Sequence, residues 1–152
     1  FVREDELKLA WRALENTPNH ELPEFVFEDV PVGRYSMYDT VLKFKEHELP
    51  LSLPASIHLR ALIRKGLSVL LAANTLIKRF SPDRVITYNA KYSLNRVFCA
   101  VAEKADVPWF TIHAGSDFNR RLEKMEIFKG IVPQALLASD PRLTEVLRTP
   151  SS

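Results

Sequence analysis

VITYNAKYSLNRVFCAVAEKADVPWFTIHA, residues 85–114, decides the fold. Val85, Ile86, Thr87 and Tyr88 are of the β-branched and aromatic kind that strands favour. Asn89, Lys91, Tyr92, Ser93 and Asn95 then crowd hydrogen-bonding groups at the end of that strand. Over residues 92–105, Val97, Phe98, Val101 and Ala102 recur at helical spacing. Asp106-Val107-Pro108 turns the chain back, and WFTIHA, 109–114, reads as a second strand. The sum is a β–α–β unit, whose crossover should be right-handed. Both strands are continuous apolar runs rather than alternating ones, which predicts a parallel sheet covered on both faces. Tyr88 and Trp109 are expected in the core, and so is Cys99, which lies in the apolar run VFCAVA.

Upstream, Leu7, Ala10, Trp11 and Leu14 mark an amphipathic helix over residues 3–15, with Glu4, Asp5 and Glu6 in its first turn. NTPNHELPE, 16–24, reads as a loop, and FVFEDVPV, 25–32, as a short edge strand. GRYSMYDTVLKFK, 33–45, turns helical, and the two prolines of HELPLSLP, 47–54, make a linker. Residues 55–80 are the longest helical pattern, with a wide apolar face and Arg60, Arg64, Lys65, Lys78 and Arg79 leaving it. Downstream, MEIFKG and PQALLASDPRLTEVLR look helical, and no further strand is expected.

The 152 residues, 46% hydrophobic and 26% charged, suffice for one globular core, and a single domain over 1–152 is expected. The net charge of +2 does not point to nucleic acid. One cysteine excludes an internal disulfide, and with His20, His47, His58 and His113 it forms no zinc spacing. The most apolar run, residues 67–77, is shorter than the roughly 20 residues that span a bilayer. With no signal-peptide pattern, the expected location is cytoplasmic. The chain opens on Phe1 and stops at TPSS after a helical pattern, so a piece of something longer is expected.

In an open parallel sheet, ligands bind outside the carboxyl ends of the strands. Two such ends are visible, Asn89 to Ser93 and His113 to Asp117. Adjacent strands would bring Asn89 and His113 to one pocket. The helix starting near Ser93 would aim its amides there and favour an anionic or hydroxyl-rich ligand. Asn89 donates and accepts, Lys91 brings charge, neutral His113 could take a hydroxyl proton, and Gly115 admits a ligand close to the backbone. Asn89 serves equally as a turn former, and one histidine at a strand end is commonly structural. The basic face of the long helix reads as solvated, or as apposed to a membrane. No G-x-S-x-G, G-x-G-x-x-G or Walker loop is present.

SPDRVITYNAKYSLNRVFCAVAEKADVPWFTIHAGS resembles the central part of the N-terminal domain of GT-B-type glycosyltransferases from bacterial surface-polysaccharide clusters. There, a strand ends in an Asn-Gly-Arg-like turn, a helix follows, and the next strand ends in a Glu- or His-containing turn with glycine. Here those turns are Asn89-Ala90-Lys91 and His113-Ala114-Gly115-Ser116, and DVPVGRYSMYDTVLKFK resembles a Val-Gly-Arg segment upstream. The likeness spans roughly residues 29–120. It implies a Rossmann-like α/β domain, a parallel sheet with flanking helices, as an incomplete half of a GT-B fold. It implies that this half binds a glycan or lipid-linked acceptor while a further domain holds the nucleotide-sugar donor, with no cofactor or bound metal. His113, or less readily Asp117, would be the base; Asn89, Lys91, Tyr92, Ser93, Gly115 and Ser116 would orient the substrates. The rival reading is a non-catalytic Rossmann-like ligand-binding or regulatory module; a further one is a helical interaction protein built on residues 55–80.

Overall fold

A computed structural model describes residues 2–114 and 125–130. The elements are α1 (Glu4–Glu15), a 3-10 helix (Asn19–Glu24), α2 (Val32–Phe44), α3 (Leu53–Phe80), β1 (Val85–Tyr88), α4 (Ser93–Lys104), β2 (Trp109–Ala114) and β3 (Met125–Lys129). The four long helical patterns form as read, with ends set by local chemistry. Ser52 accepts from the Ala55 amide at 3.4 Å to cap α3, and a proline sits in the first turn, where its missing N–H costs nothing. Ser81, in the left-handed region at φ 43°, ends α3 by donating its N–H to Ile77 O at 2.9 Å.

α3 is the axis of the molecule. Its 28 residues extend about 42 Å. Leu59, Ile63, Leu67 and Leu70 are fully buried, and α1, α2, α4 and the 3-10 helix all pack against it. Gly66 lets α2 come close, since a Cβ there would sit 2.7 Å from Val32 Cγ1. Arg60 ties α1 on by donating to Leu14 O (2.6 Å), Thr17 O (2.7 Å) and Asn19 Oδ1 (2.9 Å). A cation thus meets the carbonyl end of α1, where the helix dipole favours it.

The β–α–β unit is present. β1 and β2 are parallel, with Val85 opposite Trp109 and Tyr88 opposite Ile112. Three expectations need correction. The residues read as a helix at MEIFKG form β3, antiparallel to β2, with Ile112 opposite Ile127. The sheet is therefore mixed, in the order β1-β2-β3. Second, among the described elements α4 alone packs on the sheet, so no described element covers its other face. Ile86, Tyr88, Met125 and Ile127 are 51–62% exposed. Tyr88 is consequently not a core residue, whereas Trp109 is half-buried against the core under the Arg96 guanidinium. Third, residues 25–32 make no strand: Phe27 and Val30 form one isolated bridge around a tight turn. Both central residues, Glu28 (φ 48°) and Asp29 (φ 61°), are left-handed. Lys104 holds that turn, donating to Glu28 O and pairing with Asp29, and Asn74 donates to Glu28 Oε2. The loop read at 16–24 contains the 3-10 helix. The second helical pattern downstream, from residue 133, lies outside the described residues.

The class is α/β, as the sequence indicates, but the bulk of the core is helical. Among the described residues, Val85 is the one apolar strand residue buried in that core, against seven from α3.

Candidate functional site at the strand ends

The two strand ends meet as the β–α–β reading requires. The Asn89 N–H donates to Ile112 O at 3.0 Å, which places Asn89 beside His113. The Tyr88 and His113 rings stack, with centroids 6.4 Å apart and planes 14° from parallel. Tyr92, the residue before α4, meets Tyr38 of α2 edge to face at 6.2 Å. Tyr38, Tyr88 and Tyr92 are 39, 52 and 44% exposed. Two aromatic pairs, Tyr88–His113 and Tyr38–Tyr92, therefore stand on either side of the Asn89 turn.

Asn89 is left-handed at φ 44°, a conformation asparagine accepts more readily than most residues. Its Oδ1 accepts from Lys91 N (3.3 Å) and its carbonyl accepts from Tyr92 N (3.2 Å). Asn95 reaches back from the first turn of α4 to donate to the carbonyls of Tyr88 and Asn89. Turn formation is thus a main task of Asn89, and the amide Nδ2 is what it can offer a ligand. Lys91 is half-buried in this turn.

Ser93 is 1% exposed. Its N–H (2.9 Å) and its Oγ–H both donate to Asp39 Oδ2 of α2. The start of α4 is thereby capped by a carboxylate of the protein itself. An incoming anion would meet Asp39 at the amide expected to receive it. Ser93 gives the surface no hydroxyl; it fixes the corner from inside. Nothing local in the sequence marks Asp39. Lys43 follows at i+4, so the pair reads as an ordinary helix-surface ion pair.

Lys43 in fact turns to α3, where its Nζ lies 3.4 Å from His58 Nδ1, and the His58 ring packs at 5.4 Å against Phe44. Burial first, and then the Lys43 charge, push the His58 pKa below its ordinary value; Asp39 opposes this and Lys65 adds to it. A depressed folded-state pKa means that the unfolded chain binds the proton more readily. The contribution of His58 to stability is present above the unfolded value of 6.5 and is lost as pH falls below it. Melting temperature should therefore fall on mild acidification more steeply for the native chain than for His58→Asn; parallel curves would show that His58 titrates alike in both states.

Cys99, fully buried, meets Thr87 Oγ1 at 3.4 Å, and burial pushes its thiol pKa up. It is a core residue, as its sequence context suggests. Among the described residues no three His, Cys, Asp or Glu side chains could share a metal ion. None of the described helices is long and apolar enough to cross a membrane.

The structure brings together Asn89, Lys91, Tyr92, Ser93 and His113. Gly115, Ser116 and Asp117 lie outside the described residues. Among the described residues, depressions occur elsewhere as well. One of about 510 Å³ opens at the other end of the strands, between Asp106, Trp109 and Lys129. One of about 400 Å³ lies between Arg3, Asn74 and Lys78. Neither gathers the chemistry found at the strand ends, which form an open wall. Comparison of the chain with protein-family models, characterised proteins and solved structures finds no match in any of the three.

Proposed function

We propose that the strand-end corner is one wall of a sugar-acceptor site, and that the chain is the acceptor-side part of a glycosyltransferase. In this reading a sugar passes from a nucleotide-sugar donor to a hydroxyl of a growing glycan or polysaccharide at the cytoplasmic side. The fold would be the Rossmann-like half of a GT-B enzyme, with the donor held mainly by residues beyond this chain. The observation that carries the reading is the pair Tyr88–His113 and the pair Tyr38–Tyr92 on either side of the Asn89 turn. Exposed aromatic faces suit the C–H face of a pyranose, and the Asn89 amide suits its hydroxyl edge. The carboxylate at the start of α4 favours uncharged hydroxyls over a phosphate at that point.

In this reading His113 is the general base that takes the proton of the acceptor hydroxyl. A general base of this kind contributes roughly 10²–10⁴-fold to rate. The enzyme that contains this chain should lose turnover by about that factor in His113→Ala, with an unchanged melting temperature. Unchanged turnover would remove His113 from the role. Acceptor binding is read separately, by saturation-transfer NMR of this chain with mono- and oligosaccharides. Signal should appear, and should vanish in Tyr92→Ala. Tight nucleotide binding without any saccharide signal would instead favour a regulatory binding module.

A further inference from the structure

The depression of about 510 Å³ lies at the opposite end of the strands from the sugar-acceptor corner and shares no residue with it. Its volume is within the roughly 300–1,000 Å³ usual for small-molecule sites. The end of α4 and the turn after it bring Glu103 and Asp106 to one bank. The end of β3 brings Lys129 to the pocket from another element, and Val107, Pro108 and Trp109 line it with apolar surface. Both carboxylates are available. Glu103, its side chain 63% exposed, has a loose ion pair with Arg96 at 3.7 Å. Asp106 is exposed and has no ion pair among the described residues. The negative end of the α4 dipole adds to them and favours a cation here. Lys104, the basic residue of that last turn, does not supply one, because its Nζ is committed to Glu28 O and Asp29 Oδ2. Lys129 is the one cation among the lining residues. Trp109 is half-buried, held by the Arg96 guanidinium 5.2 Å from its ring. A Cβ on Gly130 would meet no atom within 4 Å, so the backbone after Lys129 is open to a ligand.

We propose that this depression binds a small zwitterion with an apolar body, of which a free aromatic amino acid is the simplest. Its ammonium meets Glu103 and Asp106, its carboxylate meets Lys129, and its side chain lies on Trp109, Val107 and Pro108. Three features choose this class. Two carboxylates at the carbonyl end of a helix call for a cation. The ammonium of Lys129 calls for an anion on the same ligand, which a simple amine does not carry. The apolar lining calls for a hydrophobic body, which a metal ion or a small polar zwitterion such as glycine lacks. The inference is independent of the sugar-acceptor reading.

The test is a tryptophan-fluorescence titration of the chain, with saturation-transfer NMR alongside, using L-phenylalanine, N-acetyl-L-phenylalanine and L-phenylalanine amide. The free amino acid is expected to bind with a dissociation constant of about 1 mM, an ordinary efficiency for a ligand of its size. N-acetylation leaves a lone negative charge facing two carboxylates and should weaken binding about tenfold; amidation should weaken it about threefold. Asp106→Asn and Lys129→Gln should each cost about threefold and together about tenfold, the modest scale of solvent-exposed ion pairs. Asparagine accepts the left-handed backbone of Asp106 (φ 55°), and both side chains are exposed, so the variants should keep the native circular dichroism spectrum. No binding of L-phenylalanine at about 10 mM would overturn the proposal. So would N-acetyl-L-phenylalanine bound as tightly as the free amino acid, which would leave only an apolar cleft. Binding unchanged in the double variant would overturn it too, by placing the ligand elsewhere on the chain.

Discussion

Gly33→Ala should lower stability by at least about 3 kcal/mol and leave little folded protein at 37 °C. A Cβ on Gly33 would sit 2.1 Å from Leu22 O, 2.8 Å from Phe25 N and 2.9 Å from Pro23 O. All three are backbone atoms, so no side chain can rotate out of the way. Gly33 also donates its N–H to Phe25 O at 2.9 Å, which fixes how closely the first turn of α2 lies on the chain leaving the 3-10 helix. Relief would need that chain to move, and with it Leu22 and Phe25, both core residues. The penalty is steric rather than conformational, so Gly33→Ser should behave alike. Chemical denaturation of both variants reads the effect directly. A midpoint near that of the native chain would mean that α2 does not approach the 3-10 helix so closely.

The next largest effect is expected at Leu67. Leu67→Ala should cost about 3–5 kcal/mol, because the residue is fully buried where α3 meets its neighbours. Leu53→Ala on the same helix should change stability by less than about 0.5 kcal/mol, since its side chain is largely in water. The contrast tests which element organises the core. If α3 is the axis, the buried and exposed leucines will differ by this margin. Small, similar losses would instead return the centre of the molecule to the sheet.

That question arises because the sequence makes the β–α–β unit conspicuous and leaves its setting hidden. Val85 to Ala114 could be parsed from local signals: two short apolar runs, a helical period between them, and turn residues at each junction. β3 could not, because Met125 to Lys129 is too short for its period to be distinguished from a helical one. Its identity comes from pairing with β2, a contact that local periodicity does not encode. That only α4 among the described elements covers the sheet was equally illegible. An apolar run states that a strand is able to be covered, not that it is. Asn89 and His113 were legible as neighbours because strand ends in a parallel pair must align. Asp39 was not, for its partner Ser93 is remote in sequence and reached only through the packing of α2.

The hydrogen bonds from Ser93 to Asp39 have a mechanical consequence. They join the start of α4 to the middle of α2, and α2 is in turn held to α3 by Lys43 and Phe44 against His58. The corner is therefore one end of a lever. A ligand that displaces Tyr92 must either stretch that carboxylate link or carry α2 along. In the second case the message arrives at His58, where an imidazole NMR resonance would register an event on the far side of α2.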